Sequence, residues 1–387
     1  MRTSLRALGA AFTAATTVAT LSGVTLCTPA AARTAPAARE GAVGGDLLAG
    51  HGLIAPDGIK APPKTTASSY VIADAETGQV LAAKDPHGQY LPASTLKTLT
   101  AVTLIPRLDK TKTVKPSQEA CDEEGSAVGL VPKPIYKVDD LMRALLMVSG
   151  NDAANALAEA HGGLAVTLAD MNKEARKLQA YDTVAKTPSG LDRPGQRSSA
   201  YDLALIARAG LALPEFRKYV STKTAKFPAP KGYYEIGNHN KLLWRYPGMI
   251  GVKNGWTTKA LGSFVGAASR NGHTIIVSIM HYEGSFWDDV AKMLDWGFAA
   301  RGRSTPVGVL VDPVPDTPPS AKALPRSGPA LAGGGATPIA SGTPVAAVDR
   351  GGSGTVAAVI AGGVGLLGGL VWLVYGLARR HRRAGHT

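Results

Sequence analysis

The stretch LGSFVGAASRNGHTIIVSIMH, residues 261–281, decides the fold class of this chain. Two apolar runs flank Asn271-Gly272, a dipeptide that favours the tight turn of a β-hairpin because both residues tolerate a left-handed backbone. The pattern therefore predicts two antiparallel strands, Leu261–Ser269 and Thr274–His281. The core sheet of the fold is thus expected to be antiparallel.

The surrounding patterns place this hairpin in an α+β fold. Residues 70–74 and 79–84 flank the turn Glu76-Thr77-Gly78 and predict a second hairpin. Helices are predicted for segments with helical periodicity: Ser94–Leu108, Val138–Val148, Ala153–His161, Leu164–Leu178, Ala200–Ala209 and Trp287–Ala300. Strands at both ends with helices between them predict an antiparallel sheet flanked by helices, with an inserted helical lobe and a cleft where the two meet.

The two ends of the chain are not typical of a folded domain. Residues 1–32 have early arginines, an apolar run and a small-residue ending, which predicts a secretory signal peptide cleaved after Ala32. Residues 33–66 are predicted to be a disordered linker, and residues 301–355, rich in Pro, Gly, Ala and Ser, a flexible spacer. Residues 67–300 then remain as the folded body.

The C-terminal end predicts a membrane anchor. Residues 356–377 carry no charge and are long enough to cross a bilayer as a helix. Residues 378–387 contain a basic cluster, which the positive-inside rule assigns to the cytoplasm. We therefore expect one transmembrane helix, a basic cytoplasmic tail, and an exported body anchored at the outer side of the cytoplasmic membrane.

Composition and spacing argue against several classes of protein. The net charge of +13 is partly in the tail and otherwise scattered, without the basic stripes and interleaved aromatic residues of nucleic-acid binding, so no nucleic-acid partner is expected. After export, Cys121 has no partner for an intramolecular disulfide. No two histidines have the spacing of zinc ligands and no G-x-S-x-G motif occurs, so neither a metallopeptidase nor a histidine-based hydrolase is expected, and no cofactor.

Ser94 is the only serine followed by lysine three residues later. On a helix these positions share a face, so Ser94 and Lys97 can touch. A serine hydroxyl attacks a carbonyl only after a base takes its proton, and a lysine can be that base only when burial or a nearby cation keeps it neutral. From this motif alone, a surface lysine after a helix cap is an equally good interpretation.

Two further segments favour a catalytic site. Ser149-Gly150-Asn151 is predicted to form a corner between two helices, from which two polar side chains can point into a cleft. Lys253-Asn254-Gly255 precedes the strand beginning near Leu261. In that segment Gly255 permits close approach to the strand edge, and the lysine supplies a fixed positive charge. The aspartates at positions 74, 152 and 202 are interpreted as turn or cap residues without chemistry.

These three motifs resemble the S-x-x-K, S-D-N and K-T-G signature of penicillin-binding proteins and class A β-lactamases. Four longer blocks resemble the low-molecular-mass D-alanyl-D-alanine carboxypeptidases, the S11 peptidase family, in the same order and spacing: residues 71–101, 138–159, 171–208 and 248–268. The resemblance implies a β-lactamase/transpeptidase-like fold. It also implies a substrate, the peptidoglycan stem peptide ending in D-Ala-D-Ala, and acylation by β-lactam antibiotics.

The resemblance further implies a role for each matching residue. Ser94 is the expected nucleophile, Lys97 its general base, and Ser149 a proton relay toward the leaving D-alanine. The implied substrate-binding residues are Asn151, Lys253, Asn254, Gly255 and Trp256. The backbone N–H of Trp256 is expected to complete an oxyanion hole with that of Ser94, and Lys253 to attract the terminal carboxylate. The family usually has threonine or serine where Asn254 stands.

Three alternatives to the carboxypeptidase stay open. A class A β-lactamase is disfavoured, because the E-x-x-L-N pattern that supplies its deacylating glutamate does not occur. A DD-endopeptidase acting on cross-links would use the same residues. A catalytically silent wall-binding protein would have the same folded body. Asn254, in place of the family's usual threonine or serine, favours this alternative.

Overall fold

The computed structural model describes residues 41–315. Its strands are β1 Leu53–Ile54, β2 Ser69–Asp74, β3 Gln79–Lys84, β4 Thr113–Val114, β5 Tyr136–Lys137, β6 Thr224–Pro228, β7 Tyr233–Gly237, β8 Met249–Thr257, β9 Leu261–Arg270, β10 His273–Tyr282 and β11 Gly308–Val309. Its α-helices are α1 Lys97–Leu104, α2 Gln118–Cys121, α3 Val138–Met147, α4 Asn151–Ala160, α5 Leu164–Lys177, α6 Ala200–Ala212, α7 Pro214–Ser221, α8 Leu242–Arg245 and α9 Trp287–Ala300. The segments Asp46–Ala49 and Ala93–Leu96 form 3-10 helices.

The antiparallel sheet predicted from residues 261–281 is confirmed. β9 and β10 pair around a turn in which Asn271 (φ 50°) and Gly272 (φ 78°) both adopt the left-handed backbone. On its other side β10 pairs with β2, so strands from distant parts of the chain lie side by side. The strand order is β1-β3-β2-β10-β9-β8, with β11 also pairing with β3, and every pair is antiparallel.

Helices cover both faces of this sheet. Ile72 and Phe264 belong to the apolar cluster that α9 forms on one face, whereas Val71 and Ala73 belong to the cluster of α1, α6 and the helical lobe on the other. β2 is therefore buried at every position instead of alternating. Each fully buried large apolar side chain contributes about 1.5–3 kcal/mol, so this double layer fixes the position of the central strands.

A short corner and a buried carboxylate hold the helical lobe together. α3 ends at Met147 and α4 begins at Asn151, which leaves residues 148–150 as the corner between them. The carboxylate of Asp152 accepts hydrogen bonds from the backbone N–H groups of residues 128, 129 and 130 at 2.9–3.1 Å. This buried carboxylate therefore fastens the loop before α3 onto the start of α4, a larger role than the cap predicted for it.

Most of the predicted helices are present, with different ends. The helix predicted for Ser94–Leu108 begins with the 3-10 helix Ala93–Leu96, and α1 ends at Leu104. Pro106 has no N–H group to continue its hydrogen-bond ladder. The pattern missed α7 and the β6–β7 hairpin. α7 follows α6 after a single residue, and β6 and β7 are too exposed to alternate cleanly between apolar and polar residues.

The predicted linker and spacer are wrong where the structure describes them. Within residues 41–66, Leu48 is completely buried and β1 pairs with β3. Within residues 301–315, β11 pairs with the other end of β3, and Leu310 is buried. These short Gly- and Pro-rich segments have no periodicity of their own, because their apolar residues pack on a sheet assembled from the rest of the chain.

The predicted signal peptide at 1–32 and the predicted membrane helix and tail at 356–377 and 378–387 lie outside the described residues. Among residues 41–315, no helix has both the length and the apolar composition needed to cross a bilayer.

Candidate active site

Ser94 and Lys97 lie one helical turn apart, as their spacing predicts. Ser94 is in the 3-10 helix Ala93–Leu96, and Lys97 is the first residue of α1. The Nζ atom of Lys97 is 3.1 Å from the Oγ atom of Ser94. Ser94 is partly exposed and Lys97 is completely buried, so a substrate can reach the hydroxyl but not the amine.

The other contacts of the Lys97 amine suit its neutral form. Nζ also donates to Asn151 Oδ1 at 2.6 Å and to the Ser189 carbonyl oxygen at 2.5 Å. Both acceptors are carbonyl oxygens, so each needs one N–H group from the amine. A charged amine would donate to all three oxygens, whereas a neutral amine donates its two N–H groups to the carbonyls and keeps its lone pair for the Ser94 hydroxyl. This is the arrangement that a base needs in order to take the serine proton.

The surroundings of Lys97 favour loss of its proton. Burial lowers the pKa of Lys97 well below the ordinary value of 10.5, and the positive charge of Lys253 lowers it further. The carboxylates of Asp152 and Glu123 act in the opposite direction but have smaller effects. The neutral amine is therefore far more populated at neutral pH than that of an exposed lysine.

The corner between α3 and α4 supplies a hydroxyl and an amide. Ser149 has a left-handed backbone (φ 65°), which is strained for a residue with a side chain, and it is only 5% exposed. Its Oγ makes no hydrogen bond to any described residue. The Nδ2 group of Asn151 donates to the Glu124 carbonyl at 2.5 Å, which leaves Oδ1 free to accept from Lys97. Asn151, the first residue of α4, thus holds its amide against Lys97. The corner holds the unpaired hydroxyl of Ser149 two residues away.

β8 runs along the other side of Ser94. The closest approach is at Gly255, where a Cβ atom would lie 2.5 Å from the backbone nitrogen of Ser94. Lys253 is on the same face of the strand, is 1% exposed, and donates to the Asn254 carbonyl at 2.7 Å. Burial lowers the pKa of Lys253 to about 7. The side chain of Asn254 is half-buried, whereas Trp256 is 64% exposed.

The structure thus brings five of the predicted residues together from four elements: the 3-10 helix Ala93–Leu96, α1, α4 and β8. Ser94, Lys97 and Asn151 are joined by direct hydrogen bonds. Lys253 acts on Lys97 through its charge, and Gly255 contacts the Ser94 backbone. The remaining predicted residues are neighbours of these in sequence: Ser149, Asn254 and Trp256.

Motif reasoning missed the segment around Ser189. The Ser189 carbonyl accepts a hydrogen bond from Lys97, and Gly190 (φ 84°) lies so close to the 3-10 helix that a Cβ atom there would be 1.9 Å from the Ala93 carbonyl oxygen. On another side of the helix, Ser263 Oγ donates to the Pro92 carbonyl at 2.7 Å. Any residue type can present a backbone carbonyl, so no sequence motif marks this acceptor. Only the resemblance of residues 171–208 to the S11 family could have indicated that this segment borders the site.

Comparisons with known proteins agree with this geometry. A family model described as D-alanyl-D-alanine carboxypeptidase, peptidase S11, matches residues 57–284. The D-alanyl-D-alanine carboxypeptidase DacB2 of Mycobacterium tuberculosis is 42% identical over 264 residues, which cover 66% of this chain and 90% of that protein. DacD of Escherichia coli is 34% identical over 252 residues, covering 61% of this chain and 64% of that relative, somewhat less than two thirds of its length.

Solved structures give the same result. The crystal structure of a D-alanyl-D-alanine carboxypeptidase from Mycobacterium tuberculosis matches with a TM-score of 0.64 and 41% identity, over 66% of this chain and 99% of that one. The DD-transpeptidase of Streptomyces K15 matches with a TM-score of 0.59 and 27% identity, over 62% of this chain and 100% of that one. Because the family match spans more than half of the sequence and includes the Ser94–Lys97 pair, this chain belongs to the D-alanyl-D-alanine carboxypeptidases, the S11 family of serine peptidases.

Proposed function

We propose that Ser94 is the nucleophile with which this carboxypeptidase removes the terminal D-alanine from peptidoglycan stem peptides. One observation carries the assignment: the buried amine of Lys97 lies 3.1 Å from Ser94 Oγ while its other contacts are carbonyl oxygens. A serine hydroxyl needs a base before it can attack a carbonyl. Lys97 supplies that base, so no histidine is required.

In the acylation step, Lys97 takes the Ser94 proton and Oγ attacks the carbonyl carbon of the penultimate D-alanine. The backbone N–H groups of Ser94 and Trp256 stabilise the negative charge that develops on the carbonyl oxygen. The close approach of β8 to Ser94 at Gly255 supports this pairing, because it brings the two backbone segments within reach of one oxygen atom.

The leaving group needs a proton as its C–N bond breaks. Ser149 passes a proton to the D-alanine nitrogen, and the proton that Lys97 holds replaces it. The Ser149 hydroxyl is buried without a partner among the described residues, which supports a group whose hydrogen bond is completed by substrate. Water then attacks the ester carbon and gives its proton to Lys97, and the ester bond breaks to return the Ser94 hydroxyl. The products are D-alanine and the shortened stem peptide.

Recognition of the terminal carboxylate falls to Lys253, with Asn254 beside it. A carboxylate next to the amine favours the charged form of Lys253 and so opposes the effect of burial on its pKa. The Asn254 amide donates a hydrogen bond where the family usually has a hydroxyl. β-Lactams, which the family binds, are expected to acylate Ser94 by the same attack.

The experiment compares Ser94→Ala with Ser285→Ala, which truncates an exposed serine outside the site. We expect Ser94→Ala to lose both D-alanine release and covalent labelling by a fluorescent penicillin, and Ser285→Ala to keep both. Retained D-alanine release in Ser94→Ala would place the nucleophile elsewhere.

Product analysis separates the related activities. Mass spectrometry of muropeptides treated with the wild-type enzyme should show the loss of one D-alanine from each pentapeptide. Opened cross-bridges would instead indicate a DD-endopeptidase. An absent penicillin adduct on Ser94 would indicate a silent wall-binding protein, and an adduct that hydrolyses rapidly would indicate a β-lactamase.

We also propose that the enzyme is exported and anchored at the outer side of the cytoplasmic membrane. The support is the sequence: a signal-peptide pattern at 1–32, an uncharged stretch at 356–377 and a basic cluster at 378–387. Protease treatment of intact spheroplasts should digest the body and leave the C-terminal tail protected. Protection of the body would contradict this orientation.

A further inference from the structure

A cluster of His87, Asp182 and Asp202 lies outside the proposed catalytic machinery. His87 comes from the loop after β3, Asp182 from the loop after α5, and Asp202 from the first turn of α6. One ligand atom from each residue lies within 4.8 Å of the other two. All three line a cavity of about 410 Å³ that residues 41–43 also line.

Each of these side chains has one polar atom that forms a hydrogen bond with a residue outside the cluster. The outer contacts are His87 Nε2 with the Val43 carbonyl at 3.0 Å, Asp182 Oδ1 with Gln89 Nε2 at 3.2 Å, and Asp202 Oδ2 with Thr183 Oγ1 at 2.7 Å. The other atoms are His87 Nδ1 and Asp182 Oδ2, which form a 2.8 Å hydrogen bond with each other, and Asp202 Oδ1, which has no partner among the described residues. Histidines that bind metals usually donate their second ring N–H to a carbonyl or carboxylate, and carboxylates that bind metals are themselves hydrogen-bonded. The cluster has both features.

Asp202 independently indicates a missing ligand. The residue is 1% exposed, and its Oδ1 atom makes no hydrogen bond to any described residue. A buried carboxylate oxygen without a partner is costly, so an unpaired one in a native site needs an explanation. A bound cation supplies one, since it would keep Asp202 ionised against the burial that raises its pKa, and the carboxylates of Asp182 and Asp202 together balance a dication.

We propose that His87, Asp182 and Asp202 form a binding site for a divalent transition-metal ion, with Zn²⁺ as the best match. Zn²⁺ accepts imidazole nitrogen and carboxylate oxygen at about 2.0–2.2 Å, whereas Ca²⁺ and Mg²⁺ prefer oxygen ligands. His87 Nδ1 and Asp182 Oδ2 are already 2.8 Å apart, so side-chain movements of about 1 Å bring the ligand atoms to coordination distance. The adjoining cavity leaves space for water as a further ligand.

The ion has a structural role in this arrangement. His87 precedes Ser94 in the segment that enters the 3-10 helix, and Asp182 precedes Ser189, whose carbonyl accepts from Lys97. A metal bound to both residues therefore ties together two segments that lead into the active site. It lies apart from the acyl-transfer steps, so the site goes beyond the proposed function and does not depend on it.

The test uses the purified full chain, stripped with a chelator and titrated with Zn²⁺, Mn²⁺ or Ca²⁺ by calorimetry and thermal unfolding. We expect one Zn²⁺ per chain, and at a hundredfold excess over its Kd a rise in Tm of about 5–10 °C. Asp202→Asn should weaken Zn²⁺ binding by more than about 10-fold. The matched control is His161→Gln, because His161 Nε2 forms a 2.8 Å pair with Asp170 but is not part of such a cluster. It should bind Zn²⁺ like the wild type.

Three outcomes would overturn the proposal. They are no saturable Zn²⁺ binding by the wild type, equal binding by Asp202→Asn, or equal loss in His161→Gln. Preference for Ca²⁺ over Zn²⁺ would also contradict the ligand assignment. Should Asp202→Asn fail to fold, His87→Gln removes the nitrogen ligand and gives the same comparison.

Discussion

Gly255→Ala tests whether the edge of β8 forms half of the oxyanion hole. The added Cβ atom would lie 2.5 Å from Ser94 N and 3.0 Å from both the Ala93 Cβ and the Ser263 Oγ. Two of these three contacts are with the 3-10 helix that carries Ser94, the proposed nucleophile. Ordinary contact between such atoms begins near 3.5 Å, so the strand must withdraw from the helix by about 1 Å.

The expected loss of rate follows from this displacement of β8. Trp256 N–H moves with the strand, and oxyanion donors act only within about 2.7–3.1 Å of the oxygen that they stabilise. Loss of one such donor costs about 10²–10³ in rate, or about 2.7–4 kcal/mol of the activation barrier. The overpacking itself should lower the free energy of unfolding by only about 1–3 kcal/mol, so the protein should remain folded.

The assay is the rate at which a fluorescent penicillin acylates Ser94, together with D-alanine release and the unfolding temperature. The matched control is Gly237→Ala at the end of β7, where a Cβ atom would meet nothing within 4 Å. The control should keep the wild-type rate, while Gly255→Ala should lose about 100-fold or more. A folded Gly255→Ala enzyme that acylates within about threefold of the wild type would refute the placement of the strand against the developing charge.

The remaining predictions concern the amines and the carboxylate site. Lys97→Arg keeps a positive charge but cannot become neutral, so acylation should fall by about 10²–10⁴-fold, and near-normal acylation by penicillin would remove the base role. The pH profile of kcat/KM for D-alanine release should fall toward acid pH as Lys97 gains a proton. It should also fall above about pH 7 as Lys253 loses the charge that attracts the carboxylate, and a substrate amidated at its C-terminus should lack this alkaline fall. Asn254→Thr should preserve or raise D-alanine release, whereas a collapse would mean that the site depends on the amide.

Local sequence signals predicted those parts of the fold and site that short segments specify. The Asn271-Gly272 turn is a local property of two residues, and it correctly predicted the β9–β10 hairpin. The i, i+3 spacing of Ser94 and Lys97 is equally local, and it correctly indicated that the two side chains can touch. Such features can be predicted without knowledge of the remaining chain, because both interacting residues lie close together in the sequence.

The features that the sequence did not predict depend on distant partners. Leu48 and Leu310 lie in segments without periodicity, and they are buried only because strands from the two ends of the body meet in one sheet. The acceptor at Ser189 is a backbone atom, and any residue type could have supplied it. The sequence indicates a turn or cap role for Asp202, and the Ser199 cap of α6 is present, but the cluster with His87 and Asp182 exists only in three dimensions.

In the proposed mechanism, the two buried amines explain how one site can both bind a carboxylate and hold a lysine base. Burial opposes charge on both, and the charge of Lys253 further opposes charge on Lys97, so one proton shared by the site is favoured over two. In the proposed reaction, the terminal carboxylate of the substrate decides which amine keeps that proton, because it stabilises the cation at Lys253. The same binding event then holds Lys97 neutral beside Ser94. When the substrate has no terminal carboxylate, the proton is held less strongly at Lys253 and Lys97 is less often neutral. Such a substrate therefore meets less of the active base as well as a weaker binding site.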